Sequence, residues 1–260
     1  MLKTVLISSI LLLALAAGRF PTTAAESELE GGCAIVFGAE VCSWATMDGT
    51  TVAEVGATVP LAAIENAPAD MPMAWPPVPV ARLELPEPAR RQSGLTHVAL
   101  NWEAGGHPPA PFLTPHFDFH FYAIPESEVD AIDCADTSKP AALPAGYGLP
   151  DITLPPHMAE MMHVSTLVGL CVPKMGMHAM PRTDLERQDT FGGTMVIGYY
   201  KQVPIFVEPM VSKAMLMKRQ SFELPTPIVP GKTGPQPTRF RAGYDPATEA
   251  YRLTLSGFTR

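Results

Sequence analysis

The chain has 260 residues, 47% of them hydrophobic and 8% aromatic, with 26 acidic and 18 basic residues for a formal charge of −8. An acidic chain is a poor match for phosphate backbones or anionic membranes, so nucleic acid is excluded as an expected partner. The length suffices for one β-rich domain with a substantial core or for two small domains, and no run reaches the ~20 apolar residues of a membrane span.

In chain order, Lys3 supplies a positive start, Val5 to Ala17 an apolar stretch and Thr23-Ala24-Ala25 a small-residue cleavage site. This pattern predicts a secretory signal over residues 1–25, a single β-rich domain over 26–260 and a secreted or periplasmic location. Without Lys3 and Arg19 the remainder carries 16 basic against 26 acidic residues, a charge of −10. Four cysteines in an oxidising compartment favour two disulfides over zinc thiolates. Cys33–Cys42 would close a short N-terminal loop, and Cys134–Cys171 would tie the segment after residue 122 to that around residue 176. The 29 prolines are about twice the average frequency and are spread along the chain, so they read as rigid loops between strands.

Val41 to Met47 and Thr51 to Val55 flank Asp48-Gly49, a hairpin turn dipeptide. Val80 to Leu85 and Thr96 to Glu103 are the next strands. In the second, Val98, Leu100 and Trp102 share one face, and His97, Ala99 and Asn101 the other. After the Gly105-Gly106-His107-Pro108-Pro109 loop, His116 to Tyr122 returns as a strand, and Pro125 with Glu126 and Glu128 opens a short helix to about Cys134. Thr194 to Tyr200 and Ile205 to Val207 surround a Lys201-Gln202 turn. Met210 to Lys218 fits either a helix or a strand. Phe240 to Tyr244 and Ala250 to Leu255 form a last hairpin through Asp245-Pro246-Ala247-Thr248. The fold class is mainly β, an antiparallel sandwich or barrel with one or two short helices and long Pro-rich loops.

The sharpest signal is the alternation in His116-Phe117-Asp118-Phe119-His120-Phe121-Tyr122. A period of two puts Phe117, Phe119 and Phe121 into the core and His116, Asp118 and His120 on the opposite face. Same-face neighbours along a strand are ~6.7 Å apart, so adjacent pairs can share an ion, while His116 and His120 together would need a kink or would have to reach inward from either side of Asp118. The set is completed by His178 in Met175-Gly176-Met177-His178 and by Glu208, a carboxylate interrupting an apolar strand. His107 is placed as a possible lid. Imidazoles with a carboxylate suit a divalent metal, zinc first, with manganese, iron or copper also compatible. Any catalysis would be hydrolytic or hydration chemistry at an open coordination position.

Two other readings compete. The His–Asp–His face could be a hydrogen-bonded polar network in a structural or homo-oligomeric module without metal. Alternatively, the clusters His157-Met158, Met161-Met162-His163 and Met175 to Met180 could bind copper through thioethers, although methionine more often fills core gaps. No Gly-x-Ser-x-Gly elbow occurs.

The blocks Asn101-Trp102 with Gly106-His107-Pro108, Pro115 to Tyr122, Met175 to His178 and Phe206 to Met210 together resemble a bacterial exported family of unknown function with a structural representative from Thermus. The resemblance covers most of the mature chain and rests chiefly on the His-x-Asp-x-His strand. It implies a β-rich domain with that strand as hallmark and His107, His116, Asp118, His120, His178 and Glu208 as matching positions, and it implies no reaction. Pro108 stands where the family pattern implies an acidic residue.

Overall fold

The computed structural model describes residues 26–259 apart from Met73, so the expected signal over residues 1–25 lies outside the described residues. The chain opens with an antiparallel meander, β1 (Glu26–Val36), β2 (Ala39–Asp48) and β3 (Thr51–Pro60), followed by α1 (Leu61–Glu65). Next come β4 (Ala81–Glu84), α2 (Glu87–Ser93), β5 (His97–Glu103), β6 (His116–Tyr122) and α3 (Glu126–Asp130). A long excursion holds β7 (Tyr147–Gly148), β8 (Ile152–Thr153), α4 (Pro156–Met162) and β9 (Thr166–Leu167). The chain then forms β10 (Met177–Pro181), α5 (Arg182–Leu185), β11 (Gly193–Tyr200), β12 (Val203–Ser212) and α6 (Lys213–Leu216). It closes with β13 (Phe222–Pro225), β14 (Arg239–Asp245) and β15 (Ala250–Ser256).

The strands pair antiparallel into a six-stranded sheet, β1-β2-β3-β15-β14-β13, and a seven-stranded sheet, β4-β5-β6-β12-β11-β10-β7, with β8-β9 as a small separate ribbon. The two large sheets enclose one core, to which β3 and β15 bring Val55, Val59, Leu253 and Leu255, while β5 and β6 bring Val98, Leu100, Phe117, Phe119 and Phe121. Trp102 packs on Phe117 at 4.6 Å between ring centroids and donates its indole N–H to the Pro68 carbonyl at 2.8 Å. This is the antiparallel sandwich expected from the alternation, with the phenylalanine face of β6 at its centre.

A second apolar cluster lies on the other side of the seven-stranded sheet. Phe112, Val129, Ile132, Met162, Leu167 and Leu170, from the segments following β5, β6 and β7, pack there against Tyr122, Val196, Phe206 and Met210 of the sheet. Both faces of β6 are therefore buried. Arg82 holds this cover down from β4 with a two-pronged bond to Asp130 of α3 at 2.7 and 3.1 Å, and a contact with Glu126 at 3.5 Å.

Several details differ from the sequence expectations. Six short helices are present among the described residues rather than one or two. Five of them start directly after a proline, Pro60, Pro86, Pro125, Pro155 or Pro181, whose φ of −54° to −61° suits a helix entry. Proline thus launches helices as well as separating strands. The segment expected as an N-terminal loop is strand β1, in which Cys33 lies directly opposite Cys42. Met210 to Lys218 is both strand and helix: β12 runs to Ser212, whose hydroxyl then accepts from the Met215 N–H and caps α6. Pro209 lies inside a central strand, where the β12–β6 pairing skips Glu208 and Pro209 and resumes in the same register.

Cys33–Cys42 and Cys134–Cys171 are both bridged. Their sequence separations of 9 and 37 residues give the second bridge the larger restraint on the unfolded chain, by about 1 kcal/mol in the loop-entropy account. Replacing Cys134 and Cys171 by Ser should therefore lower the urea midpoint more than replacing Cys33 and Cys42. Equal midpoints, or free thiol in the denatured unreduced protein, would contradict this.

Candidate metal centre

The outer face of the seven-stranded sheet is ordered in rows by the antiparallel register. Ala99 pairs with His120, and the constant β6–β12 register places Glu208 opposite His120 and beside Val196. The next row runs His97, Tyr122, Phe206, Gly198 and His178 across five strands. On the other side Asn101 pairs with Asp118 and Glu103 with His116. The sheet itself thus gathers chemistry-bearing side chains from β5, β6, β12 and β10 over a small area.

These side chains form two groups of three, His120, His178 and Glu208, and His107, His116 and Asp118, each with one ligand atom per residue within 4.8 Å of the others. In the first group His120 Nε2 stands 3.6 Å from Glu208 Oε2. His178 reaches them across Gly198, where a Cβ would run into the Phe206 ring. Phe206 packs edge-on against both rings, 4.9 Å from the His120 ring and 5.2 Å from the His178 ring. In the second group His116 Nε2 lies 3.3 Å from Asp118 Oδ1, and His107 Nε2 lies 3.9 Å from Asp118 Oδ2. The residue expected as a lid is thus part of a cluster. Gly106, at φ +69°, makes the turn that delivers it, since a Cβ there would strike the Phe112 carbonyl.

Three imidazoles have their tautomer fixed by the backbone. The Nδ1 atoms of His107, His116 and His178 face the carbonyls of Pro108, Thr114 and Leu170 at 2.8, 2.7 and 3.0 Å. A carbonyl only accepts, so each Nδ1 carries the proton and each neutral ring presents an Nε2 lone pair to its cluster. Burial lowers the pKa of all three, His178 to about 4, so they are neutral at neutral pH. Burial also pushes His120 well below its ordinary value, with His178 adding to the effect.

The polar atoms of this face are only partly hydrogen-bonded among the described residues. Among the described residues, His116 Nε2, both ring nitrogens of His120, Asp118 Oδ1 and Glu208 Oε2 are buried without a hydrogen-bond partner. Such atoms cost about 1–3 kcal/mol each when left unsatisfied. Burial, followed by the neighbouring carboxylates, raises Asp118 well above the usual carboxylate range; burial and Glu103 do the same for Glu208. A cation among these groups would satisfy the lone pairs and favour the ionised carboxylates. The spacings of 3.3 and 3.6 Å match the ~3.4 Å edge of a tetrahedron of ligands about 2.0–2.1 Å from zinc.

Both groups border one cavity of about 50 Å³. Glu103, His107, Asp118, His178 and Glu208 line its polar side, and Met158, Met162, Met175, Met180 and Met210 contribute much of its apolar wall. His157 of α4 and His163, which follows it, are exposed and do not line this cavity. Two residues beyond the sequence-derived set belong to the site. Glu103, raised to about 7 by desolvation, lines the cavity, and Asn101 lies opposite Asp118 with its side-chain amide nitrogen unpartnered. Extending the β5 alternation from His97, Ala99 and Asn101 by one step would have found Glu103. Compared with protein-family models, curated proteins and solved structures, the chain finds no match.

Proposed function

We propose that this is an exported divalent-metal protein whose primary ion, zinc first among the compatible metals, is held by His120, His178 and Glu208 with an open position toward the cavity. The observation that carries this reading is the set of buried, unpartnered ligand atoms on His120 and Glu208, beside a His178 whose Nδ1 is anchored to the Leu170 carbonyl. Two imidazoles and a carboxylate with one position left open form a set typical of catalytic zinc. The chemistry such an ion supplies is acidification of water and polarisation of a carbonyl or phosphoryl oxygen. Around it, Phe206 packs against both imidazoles, the methionine wall limits access of water, and Glu103 stands on the cavity as a carboxyl able to hold a proton near neutrality. Export is supported by the Lys3-to-Ala25 pattern together with the two disulfides, and no helix among the described residues is long and apolar enough to cross a membrane. Membership of the exported family with the His-x-Asp-x-His strand belongs to the same reading. The five cavity methionines favour copper(I) as the second reading.

Zinc titration followed by gel filtration and elemental analysis tests the proposal: retained metal supports it, and none after exposure to zinc, manganese, iron and copper rejects it. The pH dependence gives an additional test. In the metal-free chain, histidines lowered from 6.5 to about 4, such as His178, cost stability as pH falls through that interval. Glu103, raised from 4.5 to about 7, costs stability as pH rises through its own interval. The two trends oppose. Zinc favours neutral imidazole and ionised carboxylate together, so zinc-induced thermal stabilisation should grow with pH toward and past 7. A zinc effect that shrank over that range would contradict the ligand set.

A further inference from the structure

We infer that the same face holds a second divalent cation, bound by His107, His116 and Asp118, so that the sheet carries a two-ion centre rather than one. The inference goes beyond the ion at His120, His178 and Glu208 and rests on different atoms. His116 and Asp118 are 0% and 4% exposed, and His116 Nε2 and Asp118 Oδ1 face each other at 3.3 Å with no hydrogen-bond partner among the described residues. His107 completes the set from the loop, with its Nε2 3.9 Å from the other Asp118 oxygen and its ring 4.8 Å from that of His116. The two Nδ1 atoms bond to backbone carbonyls, which leaves both Nε2 lone pairs for an ion. Gly106 permits the turn that brings His107 back over the ends of β5 and β6, while the β6 backbone sets the other two ligands.

Charge permits the same count. Glu103, Asp118 and Glu208 border the cavity, and its described lining residues include no Lys or Arg. When these three carboxylates are ionised, one divalent cation leaves a buried net negative charge. Two leave a single positive charge that a small anion can neutralise. The two clusters follow one another along β6, Asp118 and His120 being one same-face step of ~6.7 Å apart. Paired ions bordering one cavity suit a ligand with an oxyanion head, a carboxylate or phosphate group, which both can contact. The methionine wall suits an apolar body on that ligand.

The test uses the full mature chain, stripped with a chelator, loaded with zinc, freed of excess metal and analysed for bound zinc per chain. Wild type should retain two equivalents, His107→Ala one and His178→Ala one. Asp118→Asn, which preserves shape, should also retain one if His107→Ala folds poorly. A wild type that saturates at one equivalent, kept in His107→Ala, overturns the second ion and leaves the first standing. One equivalent lost equally in His107→Ala and His178→Ala means a single shared site and overturns it too. No retained zinc in wild type removes both ions.

Discussion

Phe119→Ala should lower the unfolding free energy of the metal-free protein by roughly 3–5 kcal/mol. Phe119 is fully buried in the core between the sheets, and Phe117 lies parallel to it at 6.0 Å between ring centroids. Truncation removes burial and leaves a cavity that neighbouring rings on the same strand cannot fill. Because Phe119 points away from the metal face, whatever folded fraction remains should keep its zinc stoichiometry. Urea unfolding with parallel metal analysis of the folded fraction checks both halves. Loss of metal without loss of stability would place Phe119 on the wrong side of the sheet.

The second large effect has the opposite character. His120→Leu should remove the share of the zinc-dependent stabilisation that comes from the His120, His178 and Glu208 ion, which for an intact site reaches about 4 kcal/mol at a thousandfold excess of free metal over Kd. It should not weaken the metal-free fold. His120 is 1% exposed with both ring nitrogens unpartnered, so an apolar side chain there relieves unsatisfied groups while occupying much of the same space. A metal ligand and a structural hydrogen-bonding histidine thus predict different signs for the metal-free variant. Stability equal to or above wild type without metal, together with a response to zinc reduced to that of the His107, His116 and Asp118 group, is the expected result. A metal-free variant several kcal/mol weaker would restore the polar-network reading.

The parts of this architecture legible in the sequence were those governed by local periodicity. Strict alternation from His116 to Tyr122 fixed which side chains of β6 would meet the core, and the Asp48-Gly49 and Asp245 to Thr248 turns marked real hairpins. Glu208 stood out because a carboxylate inside an apolar strand needs a partner. What local pattern could not supply was register between distant strands. The separation of His120, His178 and Glu208 from His107, His116 and Asp118 depends on β12 lying between β6 and β11, and on β10 beyond them. The buried state of the polar face was equally hidden, because its cover comes from short, irregular segments such as Ala110–Phe112 and α4 that carry no sustained period. The same applies to the helices that begin after proline, since a residue that ends a strand and one that starts a helix can be the same residue.

The central claim is that the buried imidazoles and carboxylates of this face, rather than the adjacent methionines, hold the metal. X-ray absorption spectroscopy of the zinc-loaded protein tests it most directly. The predicted first shell contains only nitrogen and oxygen at about 2.0–2.1 Å with outer-shell scattering from imidazole, and that imidazole signal diminishes in His120→Leu. A shell containing sulfur at about 2.3 Å, or a spectrum unchanged by the substitution, would contradict the account.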